Sequence, residues 1–214
     1  MGYSNAVGIE YRVVKKDEYQ GKAVRIVVAA RTYAAEINDL WDATTNAERI
    51  SHWFGPVSGN LELGGRYQLE GNASGEITRC DRPTTFDVTW EYADNVSWVK
   101  VHLESVADGT RLTLEHIMEK DEASEAHWEK YGPGATGVGW ELGFLGLGMY
   151  LEIGGKAIAE EEFNEWLTSP EGKAFIESCA NAWGEAHIES GEDAAIAVAM
   201  AKKTASFYCG EPTH

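Results

Sequence analysis

Positive charge is scarce in this chain. Its 214 residues hold 18 lysines and arginines against 35 aspartates and glutamates, a formal net charge of -17. An acidic surface repels phosphate backbones and anionic headgroups, so neither nucleic acid nor a membrane surface is an expected partner. Cysteine is as sparse: Cys80, Cys179 and Cys209 are odd in number, far apart and without a CxxC pair. That excludes a disulfide framework or a zinc knuckle and suits free thiols in a reducing compartment. Long hydrophobic runs are missing too. The nearest, residues 138–153, is interrupted by Glu141 and Glu152, so no membrane insertion is expected. The opening residues lack the basic start and apolar core of a signal peptide, and the expected location is the cytoplasm. No two histidines stand at metal-ligand spacing with a carboxylate, so no metal site is expected. GPGATG at residues 132–137 matches GxGxxG in letters only. It follows a charged, helix-like segment where a dinucleotide site needs a strand, and no cofactor is expected.

What the chain does contain is a long β-meander pattern between helical segments. Residues 1–22 read as a polar lead-in in which Tyr11, Val13 and Val14 hint at an extra strand. Ala23 to Tyr33 reads as a strand, apolar on both faces over part of its length. Two short helices follow, Glu36 to Thr44 and Ala47 to Trp53, the second capped by Asn46 and stopped at Gly55-Pro56. The cleanest alternation comes next. Phe86, Val88, Trp90 and Tyr92 fall on one face, opposite Asp87, Thr89 and Glu91. Val99, Val101 and Leu103 form a face of the next strand, expected from Trp98. Leu112, Leu114, His116 and Met118 form a face of the one after, across an Ala107-Asp108-Gly109 turn. Antiparallel strands with one apolar face imply a sheet covered on one side and wet on the other, where Trp98, His102 and Glu104 are expected.

Glu119 to Tyr131 reads as a short helix or a flap. The segment from about Thr136 to Glu152 reads as a long helix carrying glycines at 139, 143, 146 and 148. Each glycine costs about 1 kcal/mol against alanine, which close packing or a hollow for a ligand would have to offset. Beyond Lys156 the pattern is helical throughout, with Ser169-Pro170-Glu171 a strong helix start. This extension holds twelve acids against four lysines from Leu151 onward. Its apolar stripes need a cover, either the same chain or a second subunit, so a homodimer is one of two arrangements.

The pieces LWDATTNAERISHWFGP, LELGGRYQLEGNASGEITRCDRPTTFDVTWEY, DGTRLTLEH and GWELGFLGLGMYLE resemble bacterial homologues of the C-terminal domain of the activator of heat-shock-protein-90 ATPase. These belong to the START-like (SRPBCC) helix-grip superfamily. The resemblance spans about Ala23 to Glu152. It implies an α+β helix-grip fold: a curved antiparallel sheet around a long helix, with a cavity between them. The expected organisation is then a lead-in over 1–22, a helix-grip domain over 23–153 and a helical extension over 154–214.

On that fold the sheet offers Tyr67, Phe86, Val88, Trp90, Val99 and Val101 as a wall. Leu112, Leu114, His116 and Met118 continue it. The long helix adds Trp140, Phe144 and Leu145, and Trp53 and Phe54 would close the mouth. Such a lining suits an apolar small molecule, oriented by His116 or Tyr67, with no catalysis by the protein itself. One alternative is a cyclase- or hydratase-type enzyme of the same superfamily, with His116, Tyr92 or Glu141 moving protons. Another is a chaperone-linked interaction module working through the acidic helical tail.

Overall fold

A computed structural model describes residues 10–212. The elements run β1 (Tyr11–Tyr19), β2 (Lys22–Tyr33), α1 (Ile37–Thr45), α2 (Ala47–Ile50), β3 (Val57–Gly59), β4 (Arg66–Leu69), β5 (Ser74–Asp81), β6 (Thr85–Tyr92), β7 (Asn95–Val106) and β8 (Gly109–Glu119). Five helices follow: α3 (Glu122–Tyr131), α4 (Gly134–Glu152), α5 (Glu160–Thr168), α6 (Pro170–Glu189) and α7 (Ala194–Tyr208). The strands form an antiparallel sheet in the order β1-β2-β8-β7-β6-β5-β4-β3. Tyr11, Val13 and Val14 thus belong to a full strand, and residues 1–9 of the lead-in lie outside the described residues. The short β3, with one residue of three apolar, carries too little pattern to be read in advance.

Local chemistry sets the boundaries. The Asn46 side chain accepts from the Glu48 N–H and starts α2, which closes after one turn at Ile50 instead of running on to Trp53. Ser169 caps α6 by accepting from the Gly172 N–H, with Pro170 in the first turn. The β6–β7 hairpin turns on Ala93 and Asp94, both with positive φ, which matches the twist of the flanking strands.

By compactness the chain forms two units, each discontinuous in sequence. The first holds residues up to Ala29, Glu119–Leu142 and Ala159 onward; the second holds Ala30–Met118 and Gly143–Ile158. The boundary falls inside β2 and inside α4.

In the first unit, α6 packs on β1 and on α7, and α7 packs on α3. The ring of Trp183, fully buried, lies against Gly137 of α4 so closely that a Cβ there would stand 2.1 Å from it. The interior carries charge. Arg12 of β1 grips Glu141 of α4 through two bonds of 2.6 and 2.7 Å, and Glu10 lies 3.6 Å away. The buried thiol of Cys179 shares this neighbourhood, where burial and then the Glu141 carboxylate push its pKa up. Arg25 pairs with Glu125 and stacks over Trp128, 4.6 Å from the ring centre.

In the second unit the core is drier. Leu40 and Ala43 of α1 are wholly buried, and the Trp41 ring meets Phe86 edge-on at 5.9 Å. The second half of α4 lies on β2, where the Tyr33 hydroxyl donates to the Phe144 carbonyl at 3.1 Å and Gly148 makes room for Arg31.

Candidate functional site

The register of β6, β7 and β8 aligns the inner-face residues in rows. Phe86, Val101 and Leu114 form one row; Val88, Val99 and His116 form the next; Trp90 stands opposite Ser97 beyond them. The β7 and β8 members Val99, Val101, Leu112, Leu114 and His116 are buried. Phe86, Val88 and Trp90 on β6 are only half-buried, as is Met118 near the end of β8. One margin of an apolar, aromatic face is therefore accessible.

The turn after α2 packs beside this margin. Phe54 joins Tyr67, Val88 and Trp90 in a cluster completed by Ile50, Val57, Leu61, Leu69 and Ile77. Gly143 of α4 receives the Phe54 ring, and Gly146 receives the Trp53 carbonyl. The Trp53 indole donates to the Ala43 carbonyl at 3.0 Å. Trp53 is thus wedged between α1 and α4, and Phe54 packs between α4 and the sheet cluster. The glycines of α4 answer to close approach along its length, since Gly139 meets the Tyr208 hydroxyl and Gly148 meets Arg31.

Polar groups on this face are few. His116 Nε2 lies 2.8 Å from Ser97 Oγ, and Ser97 Oγ also lies 3.2 Å from the Trp90 carbonyl, to which it can donate. The Trp90 and His116 rings meet edge to face at 6.1 Å. Burial pushes the His116 pKa down to about 4, so the imidazole is neutral at neutral pH. The Tyr67 hydroxyl donates to the Thr89 carbonyl at 2.7 Å, and burial, then the nearby Glu91 charge, raises its pKa.

Of the sequence-expected residues, Phe54, Tyr67, Val88 and Trp90 come together in one cluster, and His116 adjoins it through Trp90. Phe86, Val101 and Leu114 lie one row further along the sheet. Phe144 and Leu145 are buried on the second half of α4. Trp140 is half-buried on the other half and belongs to the first unit. The groups expected to move protons are dispersed. Tyr92 is 57% exposed, and Glu141 is held by Arg12 in the first unit. His52 is half-buried and leans on the Tyr150 ring at 5.9 Å. Ser97 was not legible, because the strand was expected to begin at Trp98 and begins at Asn95. The period-two series through Val99, Val101 and Leu103 extends back to it and could have found it.

A curved antiparallel sheet with a long helix on its inner face defines a helix-grip protein. The chain belongs to the family of activator of Hsp90 ATPase homolog 1-like proteins, whose model matches residues 34–152. CalU16 from Micromonospora echinospora is 29% identical. Its crystal structure aligns over 83% of this chain and 98% of its own with a TM-score of 0.65. Its solution structure aligns over 85% and 97% with a TM-score of 0.68. DynU16, a protein of the dynemicin biosynthetic locus, is 22% identical over 62% of this chain and 48% of its own. Its TM-score of 0.51 speaks for the fold alone. No curated protein matches the chain. No helix among the described residues is long and apolar enough to cross a membrane.

Proposed function

We infer that the protein binds an apolar small molecule at the inner face of its second unit, without transforming it. The observation that carries this reading is the partial exposure of Phe86, Val88 and Trp90 beside a buried floor of Val99, Val101 and Leu114. Aromatic surface left open in a concave setting gains roughly 25 cal/mol for each Å² a ligand covers. Membership of the helix-grip family supports the same reading. Catalysis is disfavoured by the chemistry of the face. A histidine with a pKa of about 4 is roughly three units from a base matched to neutral pH, equivalent to about 4 kcal/mol. The three unpaired thiols support a cytoplasmic setting. In this reading the helical extension, residues 154–214, completes the same protomer, because α6 lies on β1 and α7 on α3.

Native mass spectrometry of protein purified from its own host tests the reading. The expected result is a stoichiometric adduct that denaturing extraction releases as an apolar compound, and that Trp90→Ala loses. An adduct retained by Trp90→Ala, or released as a polar anion, overturns it. A second reading, protein docking through the tail, draws on Ile196, Val198 and Phe207 of α7, each about half-exposed. Dimer in place of adduct in the same spectrum would favour it.

A further inference from the structure

The polar step on the inner face is built asymmetrically. Ser97 Oγ has one proton and two lone pairs. It lies 2.8 Å from His116 Nε2 and 3.2 Å from the Trp90 carbonyl. Two tautomers of a neutral imidazole are possible at Nε2, and both lead to the same outcome. If Nε2 carries the proton, it donates to Ser97 Oγ, and the serine proton goes to the Trp90 carbonyl. One oxygen lone pair is then left. If Nε2 is bare, the serine proton goes to it, and both lone pairs are left. In neither case does the hydroxyl keep a proton for a ligand. In both it can accept one.

We propose that Ser97 is a specificity-determining residue that selects a ligand carrying a hydrogen-bond donor, an aromatic alcohol or N–H compound in neutral form, over an ether or hydrocarbon of the same shape. The proposal rests on the binding reading above and names the ligand class of that same face. Trp90, directly opposite Ser97 in register, supplies the aromatic surface, and Val88 and Phe54 lie in the same cluster. A ring lying on Trp90 would bring a hydroxyl on its edge to Ser97. Ser97 itself offers a carboxylate no proton, because its own is committed, and the uncharged imidazole supplies no countercharge.

Three probes built on one ring system separate the possibilities: 2-naphthol, 2-methoxynaphthalene and naphthalene, titrated calorimetrically into the whole protein and into Ser97→Ala. Burial of apolar surface alone ranks the methyl ether above the naphthol. A donor-selective serine reverses the order. The expected result is naphthol about tenfold tighter than its methyl ether, the scale of one neutral hydrogen bond. Ser97→Ala should erase that preference while leaving naphthalene affinity within about twofold. Because the ranking is read in the unmodified protein, it does not depend on how well the variant folds. Binding of all three with the ether equal to or tighter than naphthol overturns the donor selection and leaves the binding reading standing. Binding of none overturns the binding reading and the selection with it.

Discussion

The two units solve the same problem with different chemistry. The second fills its interior mostly with leucine, valine and aromatic rings; its inner-face polar groups, His116 and Tyr67, are neutral, and its buried charge, Arg31, lies over the Tyr33 ring away from that face. The first sets an arginine, a glutamate and a thiol into its interior and closes helices around them. Apolar packing tolerates rearrangement so long as volume is kept. A buried charge does not, because desolvation leaves several kcal/mol uncompensated if its partner goes. The first unit is thus the geometrically exacting one, and the second has the latitude a binding face needs.

The largest effect should come from breaking the exacting side. In Arg12→Met, Glu141 loses both of its guanidinium bonds, and the Glu10 carboxylate 3.6 Å from Arg12 loses its countercharge. Urea unfolding should register a loss of about 3–5 kcal/mol. Glu141→Gln should cost less than half of that, since the amide oxygen still accepts from Arg12 and Glu10 still answers the charge. A loss under about 1 kcal/mol in Arg12→Met would mean that water reaches the pair, and the contrast between the units would collapse.

That ion pair also marks the limit of what sequence reading reaches. Alternation exposed β6, β7 and β8 because each has one face toward a core, and cap residues such as Asn46 and Ser169 announced two helix starts. Nothing local to Arg12 or Glu141 announces a partner 129 positions away. Both look like ordinary surface charges on amphipathic elements. Gly137 lies within α4, where nothing in its neighbours in sequence calls for a glycine. Its cause is the Trp183 ring, which only the packing of α6 brings near. Of the candidate site, the apolar wall was legible as periodicity. The pairing of His116 with Ser97 was not, because it depends on the register between β7 and β8 and on where β7 begins.

Acidification should strike the second unit through His116. Its folded pKa of about 4 lies below the unfolded value near 6.5, so the unfolded chain binds more protons between those limits. Stability therefore rises with pH across that window. It falls as pH drops from about 6.5 toward 4, by roughly 3 kcal/mol in all. His187 in the first unit adds to the loss in the same direction. Burial lowers its pKa against the attraction of Glu192, with Lys16 and Arg25 also lowering it. Denaturant midpoints at pH 7 and pH 5 should differ, and His116→Gln should shrink the difference. A midpoint unchanged in His116→Gln at both pH values would show the imidazole to be solvated, and with it the dry character of that face would be lost.

The finest comparison lies within one helix, because α4 contributes to both units. Alanine at Gly137 would place a Cβ 2.1 to 2.5 Å from three atoms of the Trp183 side chain, which is fully buried and has nowhere to go. Alanine at Gly143 would meet the Phe54 ring at 3.1 Å, and that ring is only half-buried and can yield by a few tenths of an ångström. Both substitutions gain up to about 1 kcal/mol of helix propensity. At Gly137 overpacking exceeds that gain, and a net loss of about 2 kcal/mol is expected. At Gly143 the two effects nearly cancel, leaving less than about 0.5 kcal/mol of either sign. Thermal or urea unfolding of the two variants side by side decides the matter. Equal losses would mean that Phe54 is held as rigidly as Trp183, and a face that cannot move Phe54 would have no room to receive a ligand beside it.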